Sequence, residues 1–381
     1  MRVVLRVLPI LVLTVLVVLT VVTASMLAGA SAPASVGVGA EVAPTHSGSP
    51  AHSKSPTQSE FSARIDSCTT ISDSGRYELV ADIENATAGQ CIRIRASDVV
   101  LDGRGHNIDG TGAFGTAGVS VGTWSRGVSN VTVRNFSVAQ WDDAVRLTNA
   151  DGGVLSNVTA TESRIGVLLL NASGNRISGV RATDNAVHGV SLLDDSDRNR
   201  LAGVTALENA LAGVQLVGAA SENVVTNVAA RRNEFGVALA GASENSIEGG
   251  EASANRIAGV WLSSARNNTV SGTRLSNRFY GVWLAAESAN NTLRDNDATG
   301  NAVGFRLRDS DGNLLLENVA TDNRDGVLLI ESDGTRLVRN RIVENRRGVT
   351  LLAADGTVAR ENVVRENGRN WIYRRGSDRP A

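Results

Sequence analysis

Large aromatic side chains are scarce: six phenylalanines, three tyrosines and five tryptophans make up 4% of 381 residues. Several compact cores would each lean on such side chains, so one elongated domain suits this length better than two or three globular ones. Lysine is nearly missing. Lys54 is the single one among 37 basic residues, and arginine fills even plain surface positions, which reads as composition and not as a phosphate site. The formal charge of −2 leaves no basic surplus for nucleic acid and no acidic tail. Two cysteines exclude a disulfide scaffold or a multi-cysteine metal cluster and leave room for one bridge.

The N-terminus reads as an address. Arg2 and Arg6 precede an apolar run from Leu8 to Val22, and small residues at 28–32 suit signal-peptide cleavage. With Met26 to Ala30 added, the run approaches the roughly 20 residues that span a bilayer. Residues 1–30 are therefore expected to be a signal peptide or a membrane anchor, and either places the rest outside the cytoplasm. Contact with a membrane is expected only through this segment. Residues 31–60 are Ser, Ala, Pro, Gly and Thr without periodicity, a disordered tether. His46 and His52 within it read as chance composition.

Beyond the tether the chain repeats. A Gly-Val-x-Leu unit recurs at Gly166, Gly189, Gly213, Gly236, Gly259, Gly281, Gly304, Gly326 and Gly348, with spacings of 22 to 24 residues. Ala144 holds the same place one turn earlier. Three residues past each anchor runs an unbroken leucine column from Leu147 to Leu351. Alternation of apolar and variable positions marks a strand with one buried face. Nine or ten residues after each glycine stands an asparagine (Asn175, Asn199, Asn223, Asn245, Asn268, Asn291, Asn313), and a second asparagine precedes the next anchor. Three short strands and three turns fill each repeat, with no room for a helix. The fold that follows is all-β: a right-handed, single-stranded parallel β-helix of about 10–12 coils of 22–24 residues. Stacked asparagine amides are expected to bond one another and the turn backbone. Residues 61–140 read as the cap and first irregular coils, 141–364 as regular coils, and 365–381 as the closing cap and tail. Cys68 and Cys91 lie 23 residues apart, one repeat length, so a bridge would staple neighbouring coils.

These coils, together with Cys91-Ile92-Arg93-Ile94 through Val99-Val100-Leu101-Asp102-Gly103-Arg104-Gly105, resemble the secreted right-handed β-helix proteins of the carbohydrate-binding and sugar-hydrolase superfamily, especially the NosD-like branch. The resemblance spans about residues 65–370. It implies the fold, while coil motifs are shared by lyases, hydrolases, epimerases and non-enzymes. NosD proteins are accessory factors in assembling the copper centre of nitrous oxide reductase. Soft copper sites want clusters of Cys, Met or His, and only His106 and His188 lie in the coils.

Three functions of different class follow. The first is an extracellular or cell-surface polysaccharide binder or surface scaffold. The variable residue between the Val and Leu columns should point outward, which would make Trp261 and Trp283, with Arg306 beside them, an exposed aromatic platform for sugar rings. Packing under a loop is the plainer alternative. The second is a polysaccharide lyase, hydrolase or epimerase working on the lateral face. Trp141-Asp142-Asp143 and His188-Gly189 resemble polygalacturonase elements, but the Arg-x-Lys element is absent and His188 lies two coils from Asp143. Asp142 and Asp143 would point opposite ways along a regular strand. A lyase would want calcium, for which Asp309, Asp311, Glu331, Asp333 and Asp355 are stacked candidates. Asp-Gly turn chemistry explains three of them as well. The third function is the NosD-like accessory role. No cofactor is required by the first reading, and oligomeric state is open. Sequons at Asn85, Asn130, Asn135, Asn157, Asn171, Asn267 and Asn290 are expected on turns or outward positions.

Overall fold

The computed structural model describes residues 63–374. The expected leader at 1–30, the tether at 31–60 and the last residues, 375–381, lie outside the described residues. Among the described residues no helix is long and apolar enough to cross a membrane.

Each coil is built as the alternation demands. A six-residue strand such as Ala212–Val217 is followed by two three-residue strands, Val224–Thr226 and Ala229–Arg231, before Phe235–Ala240 begins the next coil. All pairing between these strands is parallel, each with its equivalent one coil away: Val214 with Val237, Val225 with Ile247, Ala230 with Ala252. Like residues therefore stack, and Val237, Leu239, Val260 and Leu262 form continuous interior columns, each at most 3% exposed. The sheet of long strands stacks 14 of them in one column, from Thr69–Ile71 to Trp371–Arg374. That is more rungs than the ten to twelve coils read from the repeats. Gln90–Ile94 and Ala117–Val121 stack in register below Asp143–Thr148, so the irregular beginning belongs to the same column. At the far end Trp371–Arg374 pairs with Arg347–Leu352 as one further rung.

The glycine anchor has a steric cause. A Cβ on Gly213 would stand 2.7 Å from the carbonyl oxygen of Gly236 and 3.0 Å from both Ala206 Cβ and Asn233 Nδ2. The chain turns inward there, with no room for a side chain. In the first coils the same column holds Cys68 and Cys91, whose Cα atoms lie 4.3 Å apart and whose sulfurs are joined in a disulfide.

Asparagine ladders line the turns. From Asn175 to Asn291 each asparagine makes the same pair of bonds: backbone N and Nδ2 both donate to Oδ1 of the next coil's asparagine. A second ladder climbs from Asn185 through Asn209 and Asn233. A third, Asn296–Asn318–Asn340–Asn362, occupies the middle turn of the last coils only. These side chains replace the hydrogen bonds that buried turn backbone would otherwise lose.

Leu262→Ala is expected to lower stability by about 2–5 kcal/mol, because it opens a cavity in a continuous column. A urea-unfolding loss below about 1 kcal/mol would place that leucine outside the interior.

Candidate functional site

Two regions on the outward side of the 14-stranded sheet hold the residues singled out by sequence. At the N-terminal coils, Asp143 opens the strand Asp143–Thr148, so Asp142 belongs to the preceding turn and strict alternation does not govern the pair. The two carboxylates converge instead of pointing apart. Arg164 Nε donates to Asp142 Oδ1 at 2.5 Å, and Arg164 Nη2 to Asp143 Oδ1 at 3.2 Å. Arg146 Nε donates to Asp143 Oδ2 at 2.6 Å, and the Gly115 amide to Asp142 Oδ2 at 3.1 Å. Burial pushes the Asp143 carboxyl up from its ordinary range, and the two guanidiniums act against that shift.

His188 shares the outward column of Asp143, with Ile165 between them. It makes no bond to either aspartate. Its Nδ1 accepts a hydrogen bond from the Ala212 amide at 3.3 Å, which leaves the ring proton on Nε2. Burial, with the positive Arg164 adding to it, pushes its pKa down to about 3. In this arrangement the imidazole is neutral and both carboxylates are held by arginines. Sequence reading put Arg146 in the outward column without joining it to Asp143 and missed Arg164; their places three residues past Asp143 and one coil past Asp142 were the available signal.

The second region is the column of variable residues. Register places Leu168, Ser191, Gln215, Ala238, Trp261, Trp283, Arg306, Leu328 and Thr350 in one line. None of them joins the central hydrophobic cluster, whereas the Val and Leu on either side do. The outward register agrees with the sequence. The exposure does not: Trp261 is 6% and Trp283 5% exposed, so they are not a free aromatic platform. Their ring faces are occupied by neighbours. Phe235 stacks on Trp261 with centroids 4.8 Å apart, Tyr280 lies 5.1 Å from Trp283, and the Arg306 guanidinium covers Trp283 at 5.3 Å and Tyr280 at 5.1 Å. Tyr280 Oη also accepts from Arg306 Nη1 at 3.1 Å.

Polar atoms in this column are buried without partners. Ser191 Oγ, Gln215 Oε1, Trp261 Nε1, Trp283 Nε1 and Thr350 Oγ1 make no hydrogen bond. Five of the six column residues with hydrogen-bonding side chains are in that state, which is unusual for buried polar groups.

The calcium candidates are not gathered at one point. Asp311 Oδ1 accepts from the Asp333 amide at 2.8 Å, and Asp333 Oδ1 from the Asp355 amide at 2.7 Å, so two carboxylates tie coil to coil. Asp309 and Glu331 sit at φ +50° and +48°, the left-handed corner that ends each long strand. Among the described residues no three His, Cys, Asp or Glu are placed to hold a metal. All seven sequon asparagines occupy left-handed corners, with φ between +48° and +60°. Asparagine tolerates that backbone well, which is a structural reason for finding it there. Asn157 Nδ2 donates to Asn135 Oδ1 at 3.2 Å and Asn171 Nδ2 to Asn149 Oδ1 at 2.5 Å.

Residues 117–275 match the family described as "Right handed beta helix region", and residues 236–378 the one described as "Periplasmic copper-binding protein (NosD)". No curated protein matches the chain. Among solved structures, the A-module of the Azotobacter vinelandii mannuronan C-5 epimerase AlgE6 is 16% identical, over 81% of this chain and 90% of its own, with a TM-score of 0.47. The Dettilon tailspike protein is 15% identical over 81% of this chain and 60% of its own, with a TM-score of 0.49. PfbA, a surface adhesin of Streptococcus pneumoniae, is 10% identical over 75% of this chain and 81% of its own, with a TM-score of 0.47.

The described residues do not fit copper. Both cysteines are spent in the disulfide, His106 pairs with Asp82 at 2.9 Å, and His188 is committed to the Ala212 amide. Soft copper sites need clustered sulfur or imidazole donors. What the fold and the family match establish together is the architecture: a right-handed parallel β-helix, to which residues 117–275 match by sequence as well.

Proposed function

We propose that this protein is an extracytoplasmic rod that binds a hydroxyl-rich polymer, a cell-surface or extracellular polysaccharide, without acting on it chemically. The observation that carries this reading is the outward column of unpartnered polar atoms, Ser191 Oγ, Gln215 Oε1, Trp261 Nε1 and Trp283 Nε1 on coils of one sheet. A buried polar group left unpaired costs about 1–3 kcal/mol. Sugar hydroxyls donate and accept, so a chain laid along the column could supply the missing partners to indole N–H, amide and hydroxyl once the side chains that bury these atoms move aside. Contact through N–H groups and ring edges replaces the stacking expected from sequence, since the ring faces already touch Phe235, Tyr280 and Arg306. The Cys68–Cys91 disulfide supports a place outside the reducing cytosol. The closed Asp142–Asp143–Arg164 cluster supports binding over catalysis.

The test is intrinsic fluorescence of the full chain titrated with a panel of neutral and acidic polysaccharides. Trp261→Phe and Trp283→Phe each keep a ring and remove one N–H, and each leaves the other indole as reporter. Each is expected to weaken binding about tenfold, the equivalent of one hydrogen bond. Affinity unchanged in both variants, or no binding across the panel, would remove the column from the function. The NosD match over 236–378 favours a second reading, a periplasmic accessory protein of copper-enzyme maturation. Stoichiometric copper uptake by the full chain would favour that one instead.

A further inference from the structure

Charge is spread unevenly along this chain. Residues 1–335 hold 26 basic and 34 acidic side chains, whereas residues 336–381 hold 11 arginines against five carboxylates. A net charge of −2 conceals this division.

The coils show how the arginines are presented. On the two short strands of one coil, Arg336–Val338 and Arg341–Val343, the first residue is an exposed arginine. The corresponding strands of the next coil, Val358–Arg360 and Val363–Arg365, each end on one. These four strands contain no carboxylate. The same sheet positions in earlier coils do: Glu251 stacks on Arg274, and Arg274 on Asp297. Arg336, Arg341, Arg346, Arg360 and Arg369 are exposed and make no ion pair among the described residues. Half-buried Val338 and Val358 and the exposed Val363 fill the space between the guanidiniums.

We infer that these last two coils are a recognition surface for an acidic polysaccharide, one bearing carboxylates along its length. The inference rests on the glycan-binding reading and names the chemical class of the ligand. Planar guanidiniums bind carboxylates through two parallel hydrogen bonds, which an ammonium cannot reproduce. Register sets Arg360 over Val338, two residues along the strand from Arg336, so with coils roughly 4.8 Å apart the guanidiniums are spread diagonally across neighbouring strands instead of gathered at one point. Nucleic acid is the other common polyanion, but the disulfide puts this chain where nucleic acid is not the usual partner.

The experiment uses the full chain against polygalacturonate, neutral dextran and double-stranded DNA, at about 50 and about 300 mM salt, a range over which screening of exposed charges changes strongly. The triple variant Arg336→Ser/Arg341→Ser/Arg360→Ser is compared with wild type and with the corresponding triple Arg→Lys variant. The surface assignment expects polygalacturonate affinity to fall tenfold or more in the serine variant and in high salt. The lysine variant should fall less than the serine variant, and dextran binding should not change. Polygalacturonate affinity unchanged by the serine substitutions would overturn it, as would DNA binding as tightly as polygalacturonate. Failure of the column reading looks different: Trp261→Phe and Trp283→Phe would then leave dextran affinity untouched, whatever the arginine variants do.

Discussion

Replacing Asn223 with alanine is expected to lower stability by about 3–5 kcal/mol, more than most single substitutions cost. Asn223 is fully buried and sits mid-ladder. Its Oδ1 accepts from the Asn199 backbone N at 2.8 Å and from Asn199 Nδ2 at 3.1 Å. Its Nδ2 donates to the Ser196 carbonyl at 2.9 Å and to Asn245 Oδ1 at 3.0 Å. Alanine would strand the Asn199 amide and the Ser196 carbonyl inside the turn, and each buried orphan costs about 1–3 kcal/mol. No water is expected to replace the amide cheaply, because the site is walled by the asparagines above and below. Since each coil contacts only its neighbours, the damage should be local in origin. Hydrogen exchange should show amides of the coils carrying Asn199 and Asn245 opening before those near either end. A urea-unfolding difference below about 1 kcal/mol would mean the ladder is decoration on a rod held by its Val and Leu columns alone.

The fold was readable because stacking makes repetition visible. A position buried in one coil is buried in the next, so Leu147 to Leu351 and Asn175 to Asn313 announce themselves as columns. Rungs were undercounted where the anchor residue changes. Cys68 and Cys91 take the glycine's place in the first coils, and the last rung, Trp371–Arg374, carries no glycine at all. The third asparagine ladder was hidden for a similar reason, because Val180, Val204 and Val228 occupy that turn in earlier coils before Asn296 begins it. Side-chain packing across coils was not readable. Nothing in the spacing says that Phe235 covers Trp261, or that Arg306 covers both Tyr280 and Trp283. The convergence of Asp142 and Asp143 was equally hidden, since it depends on the strand starting at Asp143 and not one residue earlier.

His188 should make the stability of this rod fall steeply in acid. An unfolded histidine titrates near 6.5, whereas burial and the charge of Arg164 hold the folded imidazole neutral down to about 3. Between those values the unfolded chain binds the extra proton, so stability is lost as pH falls through that window, by about 1.4 kcal/mol per pH unit. Asp143 works in the opposite direction. Its folded carboxyl is raised, so it takes up a proton in the folded state first and gives back some stability as pH falls through its own titration. Comparing wild type with His188→Leu cancels the Asp143 contribution to a first approximation and isolates the imidazole. The variant should be less stable at pH 7 by about 1–3 kcal/mol, because the Ala212 amide loses its acceptor. It should overtake wild type near pH 5, where the imidazole penalty has cancelled that loss. Urea midpoints measured from pH 7 to pH 4 decide the matter, and a gap constant across that range would mean His188 is solvated and free to titrate. The same outcome would reopen catalysis on this face, because a solvated imidazole beside Arg164 and Asp143 could exchange protons at neutral pH. A gap that closes and reverses leaves His188 as a neutral packing residue.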